Sequence, residues 1–225
     1  EVVAAIRELG ETAGGRLRVA CIPSVALHFL PPVMAAYRAA NPRIRILVMD
    51  GVADRLYDAV LTGSVDFALS SSAPTLPPDL HFEPAYIDRF RAVIRRDHVL
   101  AKQEVVSWTE LFAFDFLGFT FGTGTRHALD LAFAESKVMH RPIMELTQMG
   151  TILGMVNAGI GVSALPNMCC PSEDHPTLCS RPLMSPDVQR EIGFVTRKDI
   201  VLPRPAREFR AMLVNAIASS GAYQT

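Results

Sequence analysis

The feature that most constrains the fold is the alternation of short apolar runs with amphipathic segments early in the chain. The runs at 17–22, 44–49 and 65–69 are short and apolar enough to be buried strands. Between them, residues 26–40 and 53–61 repeat apolar side chains every three or four positions, as helices do. A β-α-β-α-β order of this kind predicts a parallel sheet with crossover helices.

A second block of alternating elements follows a connection rich in Ser and Pro at 70–79. The stretch 167–186 has no regular pattern and is expected to be irregular. Two similar blocks predict two α/β lobes joined by crossing strands. The expected elements of the second block and of the closing segment are strands at 81–87, 89–96, 116–119, 143–146, 162–165 and 191–196, and helices at 125–136, 151–157 and 204–218.

The charge balance argues against attraction of the whole chain to nucleic acid. The sequence has 22 Lys and Arg against 23 Asp and Glu, which leaves a net charge of -1. No apolar stretch approaches the roughly 18 to 20 residues that span a bilayer, and residues 1–11 are charged where a secretory signal is apolar. We therefore expect a cytoplasmic protein without membrane contact, although a periplasmic protein after signal removal would look the same.

The cysteine and histidine spacings predict neither a metal site nor a cofactor. The histidines show no HxH or HExxH pattern, and the cysteines lack CxxC spacing. Two adjacent cysteines, Cys169 and Cys170, are poorly placed for an ordinary disulfide. The fourth cysteine is Cys21. The sequence leaves two interpretations open: the thiols have no chemical role, or Cys179 pairs with Cys169 or Cys170 in a redox switch.

No catalytic motif is present in the sequence. There is no GxSxG nucleophile elbow, and the glycine-rich FGTGT at 121–125 lacks the lysine of a phosphate-binding P-loop. Gly159-Ile160-Gly161 precedes an expected strand, whereas a dinucleotide-binding motif opens a helix. We therefore expect a binding protein and not an enzyme.

Several segments, taken in order, resemble the effector domain of LysR-type transcriptional regulators. GRLRVA at 15–20 is similar to the family's first strand, and Ser24 and Leu30-Pro31 follow at the family's spacing. YRAANP at 37–42 resembles the helix end F-x-x-x-x-P, and LTGSVDFAL at 61–69 resembles L-x-x-G-x-L-D-x-A-I. These two motifs are more specific than any single glycine.

The resemblance extends into the second half of the chain. RRDHVLA at 95–101 is similar to the family's H-P-L-A turn, with Val99 in place of the usual proline. VNAGIGVSALP at 156–166 closely resembles V-A-x-G-x-G-I-x-x-L-P. The matching segments together cover nearly the whole chain.

The resemblance implies an α/β, two-lobed fold of the type 2 periplasmic-binding-protein class. Each lobe would be a mainly parallel sheet flanked by helices, and two crossover strands would join the lobes. Lobe I would hold residues 16–87 and 198–225, and lobe II would hold residues 88–197. Residues 1–15 would be the end of a linker helix.

The resemblance also implies a function. The domain would bind a small polar or carboxylate-bearing effector in the inter-lobe cleft and so control transcription. Family members carry an N-terminal winged helix-turn-helix that this sequence lacks, so DNA contact is expected only through that missing domain. We expect a homodimer, to which residues 26–40 would contribute one face, or a tetramer in the full-length protein. The alternative is a solute-binding protein of the periplasmic type, which has the same two-lobed frame.

Ligands of open α/β sheets bind beyond the carboxyl ends of the strands, where helix N-termini offer unpaired N–H groups. Ala53 stands where the family often carries a hydroxyl, so one expected donor is absent. Hydroxyls and amides at the remaining strand exits suit a carboxylate or another small polar group. The candidate effector-binding residues are Ser24, Val25, Gly51, Ser70, Thr120, Phe121, Thr123, Gly124, Arg126, Gln148 and Met149.

The polar candidates also have purely structural interpretations. Ser24 falls at the family's effector-contact position, but a plain helix N-cap would also suit a serine. Thr123 and Gly124 fit either close backbone approach to a ligand or a tight turn. Arg126 would neutralise an acidic ligand or face solvent, and Gln148 would line the cleft or cap an exposed helix. The sequence leaves both interpretations open at each position.

Overall fold

The structure is a computed structural model that describes residues 15–73, 75–121, 123–136 and 141–220. The expected linker end at 1–15 lies outside these residues except for Gly15. The strands in chain order are β1 (Arg16–Cys21), β2 (Arg45–Asp50), β3 (Phe67–Ser71), β4 (Leu80–Arg95), β5 (Val106–Ser107), β6 (Phe116–Phe119), β7 (Met144–Leu146), β8 (Val162–Pro166), β9 (Leu178–Met184) and β10 (Gln189–Arg197). The helices are α1 (Pro23–His28), α2 (Leu30–Ala40), α3 (Ala53–Leu61), α4 (Trp108–Leu111), α5 (Gly124–Ser136), α6 (Met149–Asn157) and α7 (Arg204–Ser219), with 3₁₀ turns at Val99–Lys102 and Asn167–Cys169.

The chain divides into two compact units, and β4 and β10 run from one unit into the other. Unit 1 holds Glu1–Tyr86 and Glu191–Thr225, and unit 2 holds Ile87–Arg190. The sequence placed the corresponding borders after residues 87 and 197. The second border differs because residues 192–195 of β10 pair with β3, which belongs to unit 1.

Unit 1 is built on a parallel sheet. β2, β1 and β3 are adjacent in that order and parallel, and β10 adds an antiparallel strand beside β3. Tyr37 on α2 is fully buried and meets the ring of Phe209 on α7 edge-on, with centroids 5.1 Å apart. The Tyr37 hydroxyl donates to Pro205 O at 3.1 Å. α2 and α7 therefore pack against each other through an aromatic contact and one partly buried hydrogen bond.

The helix expected at 26–40 is wrong as a single element. The structure has α1 ending at His28 and α2 beginning at Leu30, with Phe29 between them. Pro31 and Pro32 stand in the first turn of α2. Proline lacks the N–H that a helix interior needs but fits the first turn, so the pair starts a new helix instead of continuing the old one.

Gly193 on β10 allows two backbones of unit 1 to approach closely. A Cβ at this position would lie 2.4 Å from Glu83 O and 2.6 Å from the ring of Phe82. Real Cβ atoms do not approach a carbonyl oxygen at that distance. The glycine is therefore required by packing, not by an unusual φ angle.

Unit 2 has a sheet in the order β4-β8-β6-β7. β8, β6 and β7 are parallel, whereas β4 is antiparallel to β8 on one side and to β9 on the other. Trp108 is fully buried in the apolar core, where it meets the ring of Phe133 edge-on at 4.7 Å. Its indole N–H donates to Pro186 O at 2.8 Å, so the one polar atom of the side chain is satisfied.

Two elements of unit 2, β9 and α4, were not predicted from the sequence. β9 lies within 167–186, a stretch that was expected to be irregular. The strand was missed because Arg181 and Pro182 interrupt its apolar run. α4 is a single turn that a capping box starts, in which the Ser107 hydroxyl accepts from Glu110 N at 3.2 Å and the Glu110 carboxylate accepts from Ser107 N at 2.8 Å. One helical turn is too short to show a periodicity.

Two properties of the described residues bear on the class of protein. None of their helices combines the length and the apolar character needed to cross a membrane. Residues 15–73, 75–121, 123–136 and 141–220 also contain no group of three or more His, Cys, Asp and Glu side chains that could hold a metal ion.

Candidate functional site

Ser24 lies just beyond the carboxyl end of β1, as the sequence predicted. It is only 1% exposed. The N-cap of α1 is Ile22, so the interpretation of Ser24 as a plain N-cap is wrong. Ile22 N donates to Leu69 O at 3.0 Å, which joins the exits of β1 and β3. Val25 is also 1% exposed and belongs to the apolar core of unit 1.

Ser70 lies near the carboxyl end of β3 and is fully buried. Among the described residues, no group is in hydrogen-bond geometry with its hydroxyl. The Tyr57 hydroxyl lies nearby and donates to Ser71 O. Burial raises the pKa of Tyr57, and the proximity of the Ser70 hydroxyl offsets part of that rise. A buried hydroxyl without a well-placed partner is uncommon, and a ligand atom is one way to satisfy it.

The exit of β2 at Gly51 offers backbone groups and no polar side chain. Gly51 N donates to Cys21 O at 3.2 Å. A Cβ on Gly51 would meet only Leu56 Cδ2, at 3.8 Å, so packing does not require a glycine here. The N-cap of α3 is Val52, which provides no side-chain cap for the first turn.

Thr123 caps α5 in unit 2. Its hydroxyl donates to Thr120 O at 3.0 Å and accepts from Arg126 N at 3.2 Å. This geometry favours the structural interpretation of Thr123, because both hydrogen-bonding roles of the hydroxyl are used locally. Gly124 is the first residue of α5 and is exposed.

Thr120 follows β6 and presents a different kind of hydroxyl. Its Oγ1 is buried and has no hydrogen-bond partner within the described part of the chain. Thr120 N donates to Leu146 O at 3.1 Å, which joins the exits of β6 and β7. Thr120 is therefore the candidate in unit 2 whose side chain has an unused hydrogen-bonding capacity.

Arg126 is committed to partners inside unit 2. Its Nε lies 2.7 Å from Asp130 Oδ1, and its Nη1 lies 3.0 Å from both Glu145 Oε1 and Phe119 O. Burial lowers the pKa of Arg126, but the hydrogen bonds that it donates to the two carboxylates outweigh this effect, and the net shift of the pKa is upward. The residue is 8% exposed, so the alternative of a solvent-facing side chain is wrong. Its positive charge is already balanced by two carboxylates.

Three further candidates lie around this arginine and at the start of α6. Phe121 is 74% exposed, and its ring centroid is 4.2 Å from Cζ of Arg126. Gln148 is the N-cap of α6, but its side chain makes no capping hydrogen bond and is exposed. Met149 is half-buried in the first turn of the same helix. Phe121 and Gln148 are thus the accessible side chains among the unit 2 candidates.

Sequence reasoning missed a buried polar cluster of unit 2 centred on Asp88 and Arg190. Arg190 Nη2 lies 2.8 Å from Asp88 Oδ2, and Arg190 Nη1 donates to the Thr125 hydroxyl at 3.4 Å. Met168 N, just beyond the carboxyl end of β8, donates to Asp88 Oδ1 at 3.2 Å. The cluster therefore lies at the same sheet edge as the exits of β8 and β6. No local signal marked this cluster, because Asp88 falls between the expected strands 81–87 and 89–96 and Arg190 precedes the expected strand 191–196.

Two of the surface cavities of unit 1 are lined by residues other than the predicted site residues. The larger, of about 390 Å³, lies between the C-terminal end of α2 and the start of α7. The smaller, of about 290 Å³, is lined by residues 61, 79 and 197–199. The observations that support the strand-exit candidates are their buried hydroxyls.

The four cysteines, all within the described residues, form no disulfide. Burial raises the pKa of Cys21 to about 12, with the Asp50 charge adding to the shift. Burial likewise raises the pKa of Cys170 to about 12, although the Arg91 guanidinium acts in the opposite direction. These two thiols stay protonated at neutral pH, which disfavours thiolate chemistry.

Comparison with known proteins decides the family. The sequence profile of the LysR substrate binding domain matches residues 10–218. The chain belongs to the LysR substrate-binding domain family. The LysR resemblance expected from the sequence motifs is thereby confirmed, and the regulator is favoured over the solute-binding alternative.

Curated relatives of this LysR domain are transcriptional regulators. YbhD of Escherichia coli K12, an uncharacterized HTH-type transcriptional regulator, is 30% identical over 210 residues, which are 93% of this chain and 66% of YbhD. CysB of Haemophilus influenzae is 28% identical over 154 residues, which are 68% of this chain and 48% of CysB. The chain thus spans about two thirds or less of the length of these relatives.

Solved LysR effector domains share the fold. The effector binding domain of QuiR in complex with shikimate gives a TM-score of 0.78 at 18% identity, over 92% of this chain and 99% of that one. The BenM effector binding domain with benzoate gives 0.79 at 19% identity, over 94% and 96%. The α/β fold of the type 2 periplasmic-binding class is therefore confirmed.

Proposed function

We propose that this domain binds a small polar effector at its strand-exit residues and thereby controls DNA binding by a longer transcriptional regulator. The observation that carries the proposal is the LysR substrate-binding family match over residues 10–218. The relatives are regulators, and the solved QuiR and BenM domains hold shikimate and benzoate. The domain acts by binding and not by catalysis, in the cytoplasm where the DNA lies.

The described hydroxyls favour an effector that is recognised mainly through hydrogen bonds. Ser70 and Thr120 each bury a hydroxyl for which no described group is in hydrogen-bond geometry. A hydroxyl donates once and accepts twice, so it matches an alcohol, a carbonyl or a carboxylate oxygen. Arg126 already forms ion pairs with Asp130 and Glu145, so it does not provide an uncompensated positive charge for an anion.

Control of transcription follows from differential affinity. An effector shifts a protein between two conformations only to the extent that it binds one of them more tightly. Hydroxyls that are unsatisfied without ligand gain hydrogen bonds only in the conformation that brings the effector against them. Binding energy gained there is available to shift the attached DNA-binding part of the regulator.

We also propose that the domain pairs with a second copy of itself. β2 and β7 each have one unpaired edge in the strand order of the described sheets. Leu47 on β2 and Ile143, just before β7, are apolar and 55% and 54% exposed. Leu131 on α5 is also 55% exposed. Edge strands with exposed apolar side chains are favoured association surfaces, and homodimers bury such patches.

Thermal unfolding of the chain with added small molecules tests effector binding. The probes are shikimate, benzoate, the 20 common amino acids and a set of small sugars, because a ligand that binds only the folded state raises Tm. Ser24→Ala and Thr120→Val should each reduce the rise for any probe that stabilises the parent chain. Ser219→Ala is the matched control, since its exposed hydroxyl only donates to Asn215 O at 2.8 Å.

The outcomes separate the site from the function. A rise that both site variants reduce and the control leaves intact supports the strand-exit site. A rise that neither Ser24→Ala nor Thr120→Val changes places effector binding elsewhere and contradicts the site. If no probe raises Tm and none alters DNA binding by the full-length regulator, the proposal of an effector of this class is contradicted.

A further inference from the structure

A surface cavity of unit 1 lies at the sheet edge opposite the strand exits. It is lined by residues 40–44, which immediately precede β2, and by Arg204, Pro205 and Glu208 of α7. Gly15, just before β1, is on the same side, because its carbonyl accepts from Arg45 N at 3.2 Å. The candidates Ser24 and Gly51 follow the other ends of these two strands. The cavity is therefore separate from the effector residues by the length of a six-residue strand, roughly 20 Å.

The charged side chains that line this cavity are Arg43, Arg204 and Glu208. Arg43 is exposed, and its side chain has no hydrogen-bond or ion-pair partner among the described residues. Arg204 pairs with Glu208, with Nε 2.7 Å from Oε1, and the two side chains are 83% and 41% exposed. An exposed pair four residues apart on one helix is weak, so a ligand anion can compete for Arg204.

Positive charge continues along the same edge. Arg16 and Arg45 are exposed and stand side by side in the register of β1 and β2. Arg38 in the last turn of α2 and Arg207 in α7 are also exposed. Like charges on neighbouring strands repel, so this arrangement is unfavourable for the isolated domain. The whole chain has a net charge of -1, so this concentration of arginine does not follow from composition.

The position of Arg204 also favours the binding of an anion. It is the first residue of α7, where the helix dipole disfavours a cation, and no acidic residue stands in that first turn to offset it. Asn41, whose amide donates to Tyr37 O at 3.2 Å, adds a polar side chain to the cavity lining. An anion bound between Arg43 and Arg204 would offset the unfavourable position of Arg204 at the helix N-terminus.

We propose that this cavity binds the phosphate group of a small phosphate-bearing molecule. Guanidinium groups match phosphate oxygens with paired N–H donors, and a phosphate monoester carries about -1.5 to -2 charges at neutral pH. A doubly charged group suits two arginines better than a singly charged carboxylate does. A volume of about 390 Å³ lies in the range of small-molecule sites and holds more than the phosphate alone. The proposal does not depend on the strand-exit effector site.

Calorimetric titration of the chain with sodium pyrophosphate tests the proposal, at an ionic strength kept constant with sodium chloride. Arg43→Gln and Arg204→Gln should each weaken binding by about tenfold, because each removes a charge-assisted hydrogen-bonding group. Glu208→Gln should tighten binding, because it frees Arg204 and removes a repelling carboxylate. Arg55→Gln, an exposed arginine on α3, is the matched control and should leave binding unchanged.

The opposite sign expected for Glu208→Gln distinguishes a built site from general attraction to a basic surface. Absence of binding at millimolar pyrophosphate overturns the proposal, as does an equal effect of Arg43→Gln and Arg55→Gln. A parallel titration with a DNA duplex distinguishes a small phosphate-bearing ligand from the phosphates of a DNA backbone. Binding of a DNA duplex without binding of pyrophosphate also overturns the proposal, because a flat basic surface would then be the explanation. Thr120→Val should leave pyrophosphate binding intact, so failure of the effector site and failure of this site remain separable.

Discussion

Asp88 and Arg190 form an ion pair inside unit 2, with Arg190 Nη2 2.8 Å from Asp88 Oδ2 and side chains that are 0% and 6% exposed. The residues stand on β4 and β10, close to where each strand passes from one unit to the other. Because Asp88 also accepts from Met168 N and Arg190 also donates to Thr125, the pair ties four elements together. A buried pair with its remaining hydrogen bonds satisfied is sensitive to the loss of either partner.

Asp88→Asn should destabilise the chain by roughly 3 to 5 kcal/mol, because it leaves the Arg190 charge buried without a counter-charge. Urea unfolding measures the change. Arg89→Gln is the matched control, since Arg89 is the next residue and pairs with Asp187 at 3.1 Å, with side chains 55% and 48% exposed. That exposed pair should contribute no more than about 1 kcal/mol. Equal losses in the two variants would show that burial of the Asp88 pair is not decisive.

Gly193→Ala should destabilise unit 1 by about 3 kcal/mol or more, because the new Cβ meets Glu83 O at 2.4 Å and the backbone must shift. Gly154→Ala should act in the opposite direction. A Cβ on Gly154 meets nothing within 4 Å, and alanine is favoured over glycine in a helix by about 1 kcal/mol. Thermal unfolding compares the two, and a stable Gly193→Ala chain would rule out the close approach of β10 to the backbone at Glu83.

Thr120→Val should leave the free energy of unfolding unchanged or raise it by up to about 1 kcal/mol, since a buried hydroxyl without a partner is replaced by a methyl group. Thr125→Val is the contrasting variant. It removes the hydroxyl that accepts from Arg190 and should cost about 1 kcal/mol. A clear loss of stability in Thr120→Val would mean that its hydroxyl is satisfied in the folded chain.

The free energy of unfolding should fall as the pH drops below about 6.5, and protonation of His98 should account for part of this fall. Burial lowers the pKa of His98 from its model-peptide value of 6.5, while the Asp97 charge acts in the opposite direction. The unfolded chain therefore binds the proton more tightly, so the contribution is present above the unfolded pKa and is lost as the pH falls. Protonation also removes the Nδ1 acceptor that caps Leu100 N at 3.2 Å.

Urea unfolding at pH 7.5 and 5.5 should show a smaller pH dependence for His98→Asn than for the parent chain. Asparagine retains an acceptor for the cap but does not titrate in this range. An unchanged difference between the two pH values would assign the effect to other groups.

Leu47→Glu should convert the proposed homodimer into a monomer, because it places a charge on the exposed face of the edge strand β2. Sedimentation velocity over a range of protein concentrations measures the change. Val201→Glu is the control, since Val201 is apolar, 81% exposed and lies between β10 and α7. A Leu47→Glu chain that still dimerises would contradict the β2 edge as part of the interface.

Local patterns predicted much of the fold. The bounds of α3 and β6 agree with the expected 53–61 and 116–119, because periodicity and flanking residues act within a few positions of the chain. The break between α1 and α2 was missed although Pro31 and Pro32 signalled it, since apolar periodicity continues through them. β4 was expected as two strands but is one element of 16 residues that crosses between units.

The candidate site was less predictable, because its decisive contacts are distant in sequence. The sequence suggested Arg126 as a partner for a ligand. Its partner Asp130 is four residues away on the same helix, but its partner Glu145 comes from strand β7. Asp88 and Arg190 are 102 positions apart, so no local pattern connects them. Strand-exit reasoning identified positions such as Thr120, whereas the partners that decide each side chain's role come from tertiary structure.

The state of the cysteines has a practical consequence for spectroscopy. Maleimides react with thiolates. Cys21 and Cys170 each have a pKa of about 12 and are almost entirely protonated at pH 7. Cys169 and Cys179 are only 3% and 5% exposed, so a reagent reaches them poorly. A cysteine introduced at an exposed position, such as Ser219→Cys, should therefore be labelled much faster than the native four. Fluorophores or spin labels can then be attached to either unit without first removing the natural thiols, and distance changes on effector addition can be recorded in an otherwise unaltered chain.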